Sequence, residues 1–144
     1  MSGLEPFIDP IGEPAALIAK GRADEVVARC EALLKANRGG ILTRVALGRA
    51  FVALGRASDA IDVLREASHL SPDAAEVMLA FGEALAASGS LPAAIGEFQR
   101  AARMAPDDWR PHWQSALLWL AAGEPDKAEA EADAANRLRE IRES

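Results

Sequence analysis

Cysteine, histidine, cationic and β-branched residues are all scarce in this 144-residue chain, and each scarcity closes off a kind of structure or chemistry. The single Cys30 permits neither an internal disulfide nor a cysteine-based zinc cluster, and it fits a reducing compartment. His69 and His112 are the only histidines, with no cysteine beside them and no HExxH-type spacing, so no metal site or catalytic constellation is expected. Lys and Arg number 16 against 22 Asp and Glu, giving a net charge of −6 and a pI near 4.9, which makes nucleic acid a poor partner. The longest apolar run, Ala116 to Ala122, is seven residues, far below the ~20 of a membrane span. Met1 to Pro14 carries no Lys or Arg and holds Pro6, Pro10 and Pro14 where a signal peptide needs an uninterrupted apolar stretch. A cytoplasmic protein without membrane insertion is the expectation.

Alanine is what the chain has in excess: 32 Ala and 16 Leu stand against 14 β-branched residues, a composition suited to helices. The length allows about one domain. An internal period organises it. Gly21, Gly55, Gly89 and Gly123 are spaced by 34 residues, and the sequences that follow them read GRADEV, GRASDA, GSLPAA and GEPDKA. Cut on that period, units 41–74, 75–108 and 109–142 align well beyond the glycines. Leu47-Gly48 matches Phe81-Gly82 and Ser115-Ala116, with Phe51, Leu85 and Trp119 following. Ala60, Ala94 and Ala128 come next, then Leu64, Phe98 and Ala132, then Ala67, Ala101 and Ala135. Pro72 and Pro106 close the first two units.

Each unit carries two apolar-periodic segments parted by a Gly suited to a helix C-terminus. Helices are expected at about 13–20, 23–37, 41–54, 57–70, 74–87, 91–104, 108–121 and 125–142. Pro92 and Pro125 fit a first helical turn, and Ser71-Pro72 offers a Ser cap with Pro behind it. Gly48 against Ala67, Gly82 against Ala101 and Ala116 against Ala135 are the expected close approaches within the hairpins.

The period and the pattern of small residue, large apolar, Gly, Ala, aromatic or Leu, Ala and Pro resemble the tetratricopeptide repeat, in the form of small bacterial adaptors. The resemblance covers residues 12–142 and weakens upstream, where Val26, Cys30 and Leu33 stand at the Ala and Leu positions. It implies an all-α, right-handed superhelix (α-solenoid) of about three full repeats, 41–74, 75–108 and 109–142, after a degenerate repeat 13–40 and an irregular tail 1–12. In that family the first helix of each repeat lines a concave face that binds peptides or helices. Carried over by position, the groove residues are Leu42, Val45, Arg49 and Val52, then Glu76, Leu79, Glu83 and Ala86, then Arg110, Trp113, Leu117 and Leu120. The carboxylate clamp of chaperone-tail binders is missing, since its sites hold Val45, Arg49, Ala80, Arg110 and Gln114.

The implied function is a non-catalytic adaptor or scaffold, without cofactor, holding a peptide or amphipathic helix that carries basic residues. A small secretion or assembly chaperone is an alternative, as is a repeat region that recruits or regulates an enzyme. Trp119 reads as core, Trp109 as packing at a junction between repeats, and Trp113 as balanced between core and groove. The row Glu129, Glu131, Asp133 reads as a solvated helix face and Cys30 as a small buried hydrophobe. A homodimer through the last helix is a further expectation. Leu4, Phe7, Ile8 and Ile11 of the tail could lie along the repeats or dock a partner.

Overall fold

A computed structural model describes residues 13–143, and those residues are helical hairpins without a strand. The tail 1–12, with Leu4, Phe7, Ile8 and Ile11, lies outside the described residues. The chain divides into two compact units, Met1–Pro72 and Asp73–Ser144.

The first unit contains α1 (Pro14–Ala19), α2 (Ala23–Lys35), α3 (Ile41–Ala53) and α4 (Ala57–Leu70). The second contains α5 (Ala75–Ala87), α6 (Leu91–Met104), α7 (Arg110–Ala121) and α8 (Pro125–Glu143). These bounds follow the sequence expectation to within about two residues. In the first unit α2 packs on α3 and α3 on α4; in the second α5 packs on α6, α6 on α7 and α7 on α8.

The four recurring glycines end their helices for one shared reason. Gly21, Gly55, Gly89 and Gly123 all have φ between 75° and 86°, a conformation that costs Gly little and other residues more. At Gly55 its N–H reaches Val52 O (3.0 Å) and the next N–H, of Arg56, reaches Phe51 O (2.8 Å), the paired bonds of a Schellman stop. The residue taking that second bond is Leu17, Phe51, Leu85 or Trp119 in turn, so the repeated large apolar position is also the hydrogen-bond anchor of each stop. Asn37 (φ 59°) ends α2 in the same way, with Arg38 N–H on Leu33 O, a stop the glycine period does not reveal.

Ser71 departs from expectation. It is the residue that ends α4, and Pro72 and Asp73 form the turn before α5 begins at Ala75. A proline disfavours helical backbone in the residue before it, so Ser71-Pro72 acts as a stop instead of a start. The lone Thr43 does cap: its buried hydroxyl accepts the Gly40 N–H at 3.2 Å.

The missing side chains of Gly48 and Gly82 make room for a specific neighbour. A Cβ on Gly48 would stand 2.6 Å from Leu64 Cδ1, and one on Gly82 would stand 2.5 Å from Phe98 Cε1. The nearest atoms thus belong to Leu64 and Phe98 rather than to Ala67 and Ala101. In the last hairpin the equivalent residues are Ala116 and Ala132, so the glycine is replaced by Ala and the large facing side chain by another Ala. Met78, Leu79, Ala94, Phe98 and Ala101 form one buried cluster in the second unit, with Leu85, Ala86 and Leu118 against it.

Candidate functional site

The first helices carry the candidate residues, and within the second unit the structure sorts them into three kinds. Leu79 is only 3% exposed and belongs to the core cluster, so it has no side-chain surface to offer a ligand. Val45 in the first unit is likewise buried, whereas Leu42 on the same helix is well exposed and Arg49 and Val52 are half-buried.

Glu76 and Arg110 are the second kind. They stand 34 residues apart, at equivalent positions of α5 and α7, and form an ion pair. The Arg110 guanidinium also reaches Asp108 through Nε (3.1 Å) and Nη2 (2.8 Å), and its backbone N–H donates to the same carboxylate at 2.9 Å. Burial acts to raise the Asp108 carboxyl, but these hydrogen bonds and the charges of Arg110 and Arg142 outweigh it and hold it below the ordinary Asp range. The hydrogen bond to Asp108 comes first among the causes that push the Arg110 pKa up, against the lowering by burial and with further help from Glu76. Two charges expected to greet a partner are therefore already committed to each other. Asp108, two residues before Arg110, went unread in the sequence.

Trp113, Leu117 and Leu120 are the third kind. They are 39%, 47% and 62% exposed and lie at i, i+4 and i+7 of α7, one stripe of a helix. Leu79 sits 34 residues before Trp113 and is buried, so equal positions in the repeat meet different surroundings. Glu83 and Ala86, the counterparts of Leu117 and Leu120, are half-buried on α5. The stripe gathers apolar surface beyond the scattered exposed residues that any protein has.

The other aromatic residues are anchored by cations. Trp119 is half-buried instead of fully core, with Lys127 Nζ 4.5 Å from its ring centre. Trp109 lies under Arg139 of α8 at 5.0 Å. His112 Nδ1 is 2.8 Å from Glu131 Oε2, linking α7 to α8, so one member of the acidic row is half-buried and paired. A cleft of about 220 Å³ beside that pair is lined by Gln99, Arg103, His112, Ser115 and Glu131. Cys30 is fully buried, and burial together with the Glu31 charge pushes its thiol up to about 11. Among the described residues no group of three or more His, Cys, Asp or Glu could hold a metal ion. No described helix is long and apolar enough to cross a membrane.

Glycine stops at a fixed period, hairpins with a small residue facing a large one, and an exposed first-helix stripe define a helical-repeat protein. Residues 45–108 match the tetratricopeptide repeat family. No curated protein sequence matches it. Among solved structures, a thermophilic tetratricopeptide-repeat protein of Thermus thermophilus superposes with a TM-score of 0.82 at 25% identity, covering 96% of this chain and 75% of that one. A MamA structure matches at 0.72 and 25% identity, over 87% of this chain and 73% of that one. SycD, a type III secretion translocator chaperone of Yersinia enterocolitica, matches at 0.65 and 23% identity, over 68% and 74%. The fold and the repeats make protein-protein interaction the general role of the chain.

Proposed function

We propose that the chain is a non-catalytic cytoplasmic adaptor of bacterial type that holds an amphipathic, basic segment of a partner protein on the exposed surface of its first helices. The carrying observation is the stripe Trp113, Leu117 and Leu120. It belongs to a unit with seven Lys and Arg against thirteen Asp and Glu, so the whole net charge of −6 resides there. An apolar anchor line in an acidic setting suits a helix with apolar residues at i, i+4 and i+7 and cations elsewhere. Trp113 is the expected hot spot, since a half-exposed Trp gives large contact area at low entropic cost. In the second unit Glu83 extends the recognition surface, Glu76 and Arg110 form its polar end and Leu79 supports it from beneath; the first unit offers a candidate surface of its own in Leu42, Arg49 and Val52, with Val45 beneath. The chain is organised as a tail 1–12, a degenerate repeat 13–40 and repeats 41–74, 75–108 and 109–142, which the 34-residue recurrence supports.

A synthetic 15-residue helix-forming peptide, with Leu on one stripe and Lys on the other, tests the reading by fluorescence anisotropy. Wild type binds it and does not bind the same peptide with Glu for Lys. Trp113→Ala and Leu117→Glu each weaken binding at least about tenfold. Equal binding by wild type and both variants overturns the reading. A chaperone role is a second reading, favoured by the likeness to SycD, a type III secretion translocator chaperone that forms a dimer. It predicts that the same surface keeps an aggregation-prone client soluble.

A further inference from the structure

Helix α8 is fastened to α7 differently from the way the other hairpins are closed. α4 brings Leu64 into its hairpin and α6 brings Ile95 and Phe98, all of them buried. α8 is longer, at 19 residues, yet its buried residues are Ala128 and Ala135 alone. At the position of Phe98 it has the half-buried Ala132, opposite Ala116 in place of Gly82. What fastens α8 is a row of charged side chains beside those alanines. Lys127 lies over the Trp119 ring at 4.5 Å, Glu131 meets His112 at 2.8 Å, Arg139 lies over the Trp109 ring at 5.0 Å, and the Arg142 charge acts on Asp108. At 100° per residue Lys127, Glu131, Arg139 and Arg142 fall within about 120° of arc around the alanine row, and they run from the first turn to the last. We infer that α8 is a strap that opens from α7 as one unit about Gly123, while α5 and α6 stay folded.

Burying two alanine methyls removes far less apolar area from water than burying an Ile and a Phe, and each contact between a partly exposed cation and a ring face is modest. His112 and Glu131 are half-buried, so water screens that pair as well. The released helix keeps its own backbone hydrogen bonds, and its Ala, Glu, Lys and Arg residues favour helix without a partner. Because the tethers are spread along the whole length, freeing one end leaves the others in place, and the helix leaves as a unit. Gly123 (φ 79°) is the joint, between the α7 stop, where Glu124 N–H reaches Trp119 O at 2.9 Å, and Pro125 at the start of α8. Opening uncovers the ring faces of Trp109 and Trp119 and takes Glu131 out of the wall of the cleft beside His112 and Ser115. α7 packs more extensively on α8 than on α5 or α6. Opening therefore loosens the helix that carries Trp113, Leu117 and Leu120, and the strap regulates that face; this regulation, unlike the strap itself, rests on the function proposed above.

Amide hydrogen exchange of the full chain at about pH 7 tests the strap. In wild type the amides of α8 share one level of protection, at least about 30-fold below those of α6. Lys127→Ala with Arg139→Ala changes two exposed side chains and leaves circular dichroism unchanged; it lowers α8 protection about fivefold or more and leaves α6 as it was. Ala132→Phe with Ala116→Gly installs the pair found at Phe98 and Gly82, and it raises α8 protection at least about tenfold. Three results overturn the inference: α8 as well protected as α6, protection that declines steadily toward Glu143 as in fraying from one end, or Lys127→Ala with Arg139→Ala leaving α8 exchange unchanged. The cation variant decides the matter whether or not the refilled hairpin folds. The basic peptide described above, added at about 100 times its Kd, slows α8 exchange up to about 100-fold, because it binds the braced α7. A peptide that binds without slowing α8 overturns the regulation. A peptide that does not bind overturns the proposed partner site, and the strap is then decided by the exchange of the chain alone.

Discussion

Residues 13–72 and 73–143 are built from the same hairpin, with the same glycine stops, yet they differ in what they leave outside. The first unit is charge-balanced, nine Lys and Arg against nine Asp and Glu over 1–72, and its exposed large apolar residues Leu42, Leu54 and Leu70 lie on two helices and the turn between them. The second carries the full −6 and aligns three such residues along α7. The cores differ as well: Gly48 faces the flexible Leu64, Gly82 the flat Phe98 ring. One repeat pattern thus serves two purposes. Where the pattern positions are met by other helices they make core, and where no described helix meets them they make surface.

Core truncation should break the comparison most strongly. Phe98→Ala is expected to destabilise the second unit by about 3–5 kcal/mol, and Leu64→Ala the first by about 2–5 kcal/mol, each measured by urea unfolding. If the two units unfold separately, each variant moves only its own transition; a single shifted transition means they unfold together. Gly82→Ala comes next at about 1–3 kcal/mol, because a rigid ring cannot step aside for the new Cβ, and Gly48→Ala costs less because Leu64 can change rotamer. Pairing Gly82→Ala with Phe98→Leu should recover part of the loss, a coupling read from the double-mutant cycle.

Paired positions sharpen the contrast within the second unit. Leu79→Ala should cost about 2–5 kcal/mol, while Trp113→Ala, at the same place in the repeat, costs about 1 kcal/mol, and the difference in melting measures how far surroundings outweigh register. Arg110→Ala removes a partly exposed cluster and should cost only about 0.5 kcal/mol. Its signature is in the pH dependence. Asp108 has a lowered pKa when folded, so its stabilising contribution is complete above the ordinary Asp value of 3.8 and is lost as pH falls through the depressed value. Wild type and Arg110→Ala should therefore differ in melting temperature at pH 6 and converge in strong acid. A difference that persists there would assign the stabilisation to the packing of the Arg110 stem.

The hairpins and their stops were legible because glycine at positive φ and a recurring small residue are local demands, set by backbone sterics and visible at a fixed spacing. Asn37 was missed for the complementary reason: it meets the same steric demand with a residue that does not repeat. Ser71 was misread because Ser-Pro signals a boundary without saying on which side the helix lies. Pairings across helices were harder. Glu76 with Arg110 and His112 with Glu131 join residues 34 and 19 positions apart; Glu76 and Arg110 were expected in the groove and Glu131 on a solvated face, and only packing brought each partner near.

By itself the sequence determined the all-α hairpin architecture, the 34-residue period, the places where helices stop and the acidity of the chain, since each follows from a residue's own conformational or electrostatic preference. Only the tertiary structure decided that Leu79 and Val45 are core while Trp113 and Leu117 are surface, and that Arg110 is already paired. Burial and pairing depend on which helix stands opposite, and residues at the same place in a repeat can have different neighbours.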